Sequence, residues 1–212
     1  MEPSRANAAI ASPELRARVD SIIAERATRR QRLLAWQRHR TPDATTSEDE
    51  WKQYLDPMEF DVIRQKGTER RGGEYDGFFP PAHEGHFACR GCGRPVYSAA
   101  AKFKSGCGWP AFDKCFKNAV AVREDRTAEP MRIEITCAGC DGHLGHVFAG
   151  ERMTPTNERH CVNSISMLYV ESMAVACSSD TAAWSNGTSM PPPLAEETVC
   201  TMRNLAKIRT AP

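Results

Sequence analysis

Apolar positions change rhythm along the chain, and the changes divide it into three parts. Leu15, Val19, Ile22 and Ile23 recur at helical spacing, which predicts a helix from about Pro13 to Arg40. Ser12 is placed to cap it, and Pro13 suits a first helical position. The stripe fades before Leu33 and Leu34. A Thr/Pro-containing linker, Thr41 to Ser47, follows. Ser47 and Glu50 then have capping-box spacing, and Trp51, Tyr54 and Leu55 supply an apolar face for a second helix. Asp56-Pro57 breaks that helix, and Asp56 caps a third, short one in which Met58, Phe60, Val62 and Ile63 are expected to be buried.

From about Arg70 the texture turns to Gly, Pro, Cys and short β-like runs. Asn118–Arg123 puts Val120 and Val122 on one face. Met131–Cys137 alternates Met131, Ile133 and Ile135 with Arg132, Glu134 and Thr136, and Val162–Val170 is apolar and β-branched. Several short strands without intervening helices predict a mainly β, antiparallel domain. The last 42 residues hold Met190-Pro191-Pro192-Pro193 and few large apolar side chains, so they are expected to be disordered. The expected organisation is a helical or flexible extension over 1–46, a domain over 47–170 and a tail over 171–212.

Charge refines this division. The 212 residues carry 28 Lys+Arg and 27 Asp+Glu, a net of +1, which excludes a broadly basic nucleic-acid binder. Residues 1–47 nonetheless hold nine arginines against five acids. We read this helix as a solvated extension, with binding to an anionic surface or a transit segment as alternatives. Glu2, Glu14, Asp20 and Glu25 argue against the transit segment, because such segments are poor in acids. No run approaches ~18 apolar residues, so no membrane span is expected, and the first residues lack the apolar stretch of a secretory leader.

Nine cysteines are an odd and large number. Without a leader they point to metal or redox chemistry in a reducing compartment, cytoplasmic or alternatively mitochondrial, rather than to a disulfide framework. Cys89-x2-Cys92 and Cys137-x2-Cys140 are two tight knuckles with 44 residues between them, each able to aim two sulfurs at one ion. Together they predict one closed, structural tetrahedral Zn²⁺ site. Two other readings stand beside it. Either knuckle could be a redox dithiol, although neither sits in a strand–helix pattern. The ladder Cys137-x2-Cys140-x2-His143-x2-His146 could hold a metal alone, but Cys89-x2-Cys92 would then have no role.

Two further cysteines stand in distinctive surroundings. Cys107 is flanked by Gly106 and Gly108 ahead of Trp109, and Cys161 sits in Arg159-His160-Cys161-Val162-Asn163. On a strand, Arg159, Cys161 and Asn163 would share a face. A guanidinium beside a thiol favours the nucleophilic thiolate, and a small buried hydrophobe is the equally weighted alternative.

Gly67-Thr68-Glu69-Arg70, Cys89-x2-Cys92-Gly93, Lys102-Phe103-x-Ser105-Gly106-Cys107-Gly108-Trp109-Pro110-Ala111-Phe112, Cys137-x2-Cys140, His143-Leu144-Gly145-His146-Val147-Phe148 and Arg159-His160-Cys161-Val162-Asn163-Ser164 occur in that order. The set closely resembles the B-type peptide methionine sulfoxide reductases, over about Ser47 to Val170. The resemblance implies a small domain of two antiparallel sheets with helices ahead of it. It implies reduction of the R epimer of methionine sulfoxide in oxidised proteins or peptides, by a monomer recycled by thioredoxin. Carried over by motif, Cys161 is the nucleophile and Cys107 the resolving thiol. His143 and His146 are proton donors, and Arg159 and Asn163 tune or orient Cys161. Trp109 and Phe148 bind substrate, and Cys89, Cys92, Cys137 and Cys140 hold zinc.

The chain departs from the family pattern at two places. Gly150 stands where an acid that orients the active-site histidine is usual, with Glu151 next to it as a possible substitute. His160 stands where Tyr or Phe is common. The competing class is a zinc-ribbon interaction module using the basic N-terminal helix. Cys161 with Arg159 and His146 discriminates, since an adaptor does not need them. No role is assigned to Cys115, Cys177 or Cys200.

Overall fold

A computed structural model describes residues 42–81 and 84–171, with Ser21, Ala24 and Gln31 in helical conformation and the backbone of Glu197–Thr198. The rest of the expected N-terminal helix and C-terminal tail lies outside the described residues.

Helix α1, Glu48–Tyr54, begins at the expected cap: Ser47 Oγ accepts from the Glu50 N–H, and the Glu50 carboxylate accepts from the Ser47 N–H. Helix α2, Pro57–Gln65, repeats the device with Asp56 and Glu59. Lys66 ends it in the left-handed region at φ 60°. Trp51, Leu55, Val62 and Ile63 are buried as expected. Met58 is not: it stands in the capped first turn, 57% exposed, and the buried stripe starts one turn later.

The strands follow in order: β1 His86–Cys89, β2 Pro95–Ser98, β3 Lys102–Phe103, β4 Ala111–Phe112, β5 Cys115–Phe116, β6 Val120–Asp125, β7 Arg132–Cys137, β8 His143–Ala149, β9 Glu158–Val162, β10 Met167–Val170 and β11 Glu197–Thr198. They form two main antiparallel sheets, β3-β4-β9-β8-β7-β6 and β10-β1-β2, and β5 pairs with β11. The fold is therefore mainly β with short helices ahead, as the sequence predicts. Phe87, Tyr97 and Phe112 form the aromatic centre of the core. Tyr97 stacks on Phe112 at 4.2 Å, and Phe87 meets Phe112 edge-on at 5.2 Å. Pairs in these geometries contribute ~0.5–1.5 kcal/mol each beyond their burial.

Two strands differ from expectation for definite reasons. Strand β7 alternates in sequence, which predicts one wet face, yet Glu134 and Thr136 are as buried as Ile133 and Ile135. Lys66 and His143 close over Glu134, each 2.8 Å from its carboxylate. Val162–Val170 is not one strand. The Glu69 carboxylate accepts the backbone N–H groups of Ser164 and Ile165. The chain leaves the large sheet there, makes a 3₁₀ turn over Ser164–Ser166, and enters the small sheet as β10.

Pairing of β8 with β9 brings Gly145 opposite Val162. A Cβ at Gly145 would lie 2.0 Å from the Cys161 carbonyl oxygen, so only glycine permits this approach. We expect Gly145→Ala to lose about 3 kcal/mol or more of stability in urea denaturation, the range of overpacking plus backbone strain. A loss under ~0.5 kcal/mol, the scale of a surface substitution, would contradict the register.

Candidate active site

Antiparallel register places residues directly opposite one another on the same face of a sheet. Along one row of the large sheet stand Ala111, Cys161, His146 and Glu134. Along the next stand Arg159 and Phe148 on β9 and β8, and Arg132 and Asp125 on β7 and β6. The opposite face carries Ile133, Val147, His160 and Phe112 into the core. One face is thus apolar but for His160, and the other gathers a thiol, the His146 imidazole, that of His143 set opposite Thr136 across a register shift, two guanidiniums and two carboxylates.

Cys107 joins Cys161 from the loop between β3 and β4. Gly106 and Gly108 flank it with φ of 77° and 90°, and the loop brings its Sγ to 3.7 Å from Cys161 Sγ. The thiols are adjacent before any movement. Burial, then the neighbouring Cys107, pushes the Cys161 thiol up to about 12, although Arg159 pulls the other way. For Cys107 burial again disfavours charge, but the Ser105 hydroxyl, the Trp109 backbone, Cys161 and Arg159 together bring it below the ordinary thiol value. Ser105 Oγ lies 3.0 Å from Cys107 Sγ. Arg159 does favour a Cys161 thiolate, as the sequence suggests, but burial and the neighbouring sulfur outweigh it. Of the two thiols, Cys107 is the one whose surroundings favour the charged form.

Arg159 is itself held. Its Nε and Nη2 donate to the two Glu151 oxygens at 2.6 and 2.7 Å, and its guanidinium lies 4.4 Å above the Phe148 ring. His146 Nε2 is 2.8 Å from Asp125, which also accepts from Arg132 Nη2 at 2.8 Å. Thr127, His146 and Arg132 hold the Asp125 carboxyl well below the usual range. His143 Nδ1 is 2.8 Å from Glu134, and its Nε2 is buried with no partner. The two imidazole rings are 5.5 Å apart, and burial lowers the pKa of both despite their carboxylates. Asn163 takes a different position from the one its spacing suggests. It lies past the end of β9, where its Oδ1 accepts the Glu69 N–H and its Nδ2 donates to the Leu144 carbonyl. Trp109 Nε1 donates to the Glu69 carbonyl at 3.2 Å.

The four knuckle cysteines also converge. Cys89, Cys92, Cys137 and Cys140 are buried, with sulfurs within 4.8 Å of one another. Cys89–Cys140 and Cys92–Cys137 are 3.7 and 3.6 Å apart. A tetrahedron with metal–sulfur distances of ~2.3 Å has edges of ~3.8 Å, so the sulfurs fit one ion of that kind. No other cluster of this kind occurs among the described residues, and the ladder through His143 and His146 is not gathered: both imidazoles face carboxylates. Cys137 is drawn below the ordinary thiol range by the S–H groups of Cys140, Cys89 and Cys92, while Cys89 and Cys140 are driven above it. Four buried sulfurs cannot all be charged without a cation, whereas a divalent ion would stabilise every thiolate.

The family model of the SelR domain matches residues 55–171. The chain belongs to the SelR domain family. Its relatives carry the name peptide methionine sulfoxide reductase B. The chloroplastic B3 protein of Oryza sativa subsp. japonica is 56% identical over 128 residues, 58% of this chain and 53% of the relative. The B5 protein of Arabidopsis thaliana is 54% identical over 127 residues, covering 58% and 86%. The chloroplastic B2 protein of Arabidopsis thaliana is 53% identical over 126 residues, covering 58% and 59%. The chain thus spans little more than half of two of these relatives and most of the third.

The residues that complete this SelR site without having been singled out by sequence are acids. Asp125 and Glu134 hold the histidines, and Glu69, which stands in the Gly67–Arg70 motif with no role assigned there, holds the β9–β10 turn. Spacing gives no signal for the first, because Asp125 and His146 meet only through two strand pairings. Glu151 does not orient a histidine from beside Gly150; it clamps Arg159. His160 is wholly buried, with Nδ1 3.1 Å from the Tyr97 hydroxyl and Nε2 3.3 Å from Glu158. A polar ring is satisfied there at both ends.

The opposite shifts of the two thiols predict an order of reactivity, since the thiolate is the nucleophile. Brief iodoacetamide treatment at pH 7 should alkylate Cys107 several-fold faster than Cys161, read by peptide mass spectrometry. Preferential labelling of Cys161 would show that Arg159 outweighs its burial.

Proposed function

We propose that this SelR domain reduces the R epimer of methionine sulfoxide in oxidised proteins and peptides. The 3.7 Å approach of Cys107 to Cys161, on a sheet face bearing two carboxylate-held imidazoles, carries this reading. Cys161 passes its proton to Cys107 across that contact and attacks the sulfoxide sulfur. A sulfoxide oxygen is a poor leaving group until protonated, and His143 or His146 supplies the proton. Oxygen transfer leaves methionine and a sulfenic acid on Cys161. Cys107 then condenses with that sulfenic acid, releasing water and forming a disulfide. Thioredoxin reduces the disulfide by dithiol exchange, and two electrons in all have passed to the substrate. Trp109 and Phe148 wall the substrate methyl group, while Arg159 and Asn163 position the Cys161 segment. The enzyme works as a monomer.

The deciding experiment assays the two epimers separately. The wild type should reduce the R epimer alone, and Cys161→Ser should lose at least ~10³-fold in kcat/KM, the scale on which enzyme rates exceed residual catalysis when a nucleophile is removed. Cys107→Ser should complete one turnover and stop, leaving a sulfenic acid that a dimedone probe labels. Equal reduction of both epimers, or near-normal turnover by Cys161→Ser, would overturn the assignment.

Cys89, Cys92, Cys137 and Cys140 would hold one Zn²⁺, which contributes a cross-link rather than a reactive position. Elemental analysis should find one zinc per chain. Cys92→Ser or Cys140→Ser should lose the metal and lower the melting temperature, by a fraction of the ~10–16 kcal/mol that zinc supplies to small zinc-finger peptides. Zinc retained by both variants but lost from His143→Ala would place the ion elsewhere.

A further inference from the structure

Arg71 is not used by the chemistry above, yet the fold fixes it at the edge of the substrate wall. Its guanidinium lies 5.2 Å from the centre of the Trp109 ring. Its stem lies on the α-carbon of Gly108: a Cβ there would meet Arg71 Cγ at 3.0 Å and Cδ at 3.1 Å. The Gly72 N–H donates to the Gly108 carbonyl at 2.9 Å, which ties the backbone beside Arg71 to the Cys107 loop. Three contacts therefore hold one exposed cation two residues from Cys107 in the chain it leans on.

The charge of Arg71 is uncompensated among the described residues. The acids of the site are committed elsewhere: Glu151 to Arg159, Asp125 to His146 and Arg132, Glu134 to Lys66 and His143, and Glu69 to the Ser164 and Ile165 N–H groups. Arg70, next to Arg71 in the chain, and Lys104, at the start of the Cys107 loop, are also exposed and have no acidic partner among those residues. A guanidinium packed against an aromatic ring keeps N–H donors at its edge, in a fork that matches a carboxylate.

We propose that Arg71 selects oxidised substrates in which an aspartate or glutamate adjoins the methionine sulfoxide. The proposal rests on the reading of Trp109 as the wall of the methyl pocket. With the sulfoxide methyl against Trp109, a neighbouring acidic side chain reaches the guanidinium on that ring. The interaction is equal in ground and transition states, so it lowers KM more than it raises kcat.

The test compares R-sulfoxide peptides of the form X-Met(O)-X, with X as Glu, Gln or Lys, against the full chain. We expect kcat/KM to fall in that order, with Glu about threefold above Gln, the scale of an exposed ion pair. The difference should reside mainly in KM and collapse in 0.5 M NaCl, where exposed charges are screened. Arg71→Gln, which retains most of the stem, should abolish the preference, and Arg71→Glu should invert it. The readout is the ratio between peptides within each variant, so a general change in rate does not disturb it. If the wild type reduces the Gln peptide but shows no preference, or a salt-insensitive one, Arg71 is a packing residue and the proposal is wrong. If the Gln peptide is not reduced at all, the reductase reading itself fails.

Discussion

Four sulfur atoms must meet at one point, and much of the rest follows from where they sit. Cys89 ends β1 in the small sheet and Cys137 ends β7 in the large one. Their convergence locks two hairpin turns from different sheets against each other. The helices are seated on the same junction: Trp51 packs against Gly91, Arg64 lies 5.1 Å over the Trp51 ring, and Arg64 donates to the Cys140 carbonyl. The thiols alone are a poor clasp, because charge on one raises the cost of charge on the others. A bound cation would reverse that sign and turn the least stable cluster into the strongest link. It would also fix β7 and β8, on which Glu134, His143, His146 and Phe148 stand.

The reactive face is built on a second constraint, that every buried charge needs a partner. Two rows across the ladder meet it with few residues. Asp125 serves His146 and Arg132 together, and Glu134 serves His143 and Lys66. Glu151 engages Arg159 in a fork, the stronger geometry for this pair. Because these bonds cross strands, each also fixes register, and register places Cys161 opposite His146. Glu69 adds the remaining element. By drawing the Ser164 and Ile165 N–H groups away from the sheet, it ends β9 just past Cys161 and sends the chain into the other layer.

What could be read from the sequence was whatever is local. The Ser47–Glu50 capping box, the Asp56 cap, the knuckles and the Gly-flanked Cys107 are short patterns whose meaning does not depend on distant residues, and the structure contains each. The β7 alternation was legible, but its consequence was not: a polar face is wet only if nothing covers it, and Lys66 and His143 come from other elements. The run Val162–Val170 misled for a related reason, since its composition suits a strand throughout and a carboxylate ninety residues earlier breaks it. Arg159 was legible as a neighbour of Cys161, whereas the net effect on the thiol depended on burial and on a second sulfur. The resemblance named the residues proposed to bear chemistry; Asp125 and Glu134, which hold the two histidines, came from the folded ladder.

The order of the two thiols' pKa values agrees with the order of the proposed steps. Nucleophilicity rises with thiol pKa, so a thiolate on the high-pKa Cys161 attacks more strongly than one on Cys107. Cys161 is deprotonated only when its proton has somewhere to go, and Cys107 offers that place at 3.7 Å. In the proposed cycle, surroundings that favour charge on Cys107 over Cys161 limit wasteful oxidation of the stronger nucleophile. Once oxygen has moved to Cys161, the thiol pushed upward by its partner has gone, and Arg159 and Ser105 again favour charge on Cys107. The second nucleophile is then ready where it is needed. A site with the two values exchanged would hold its reactive thiolate exposed to oxidant and leave the resolving step to a protonated thiol.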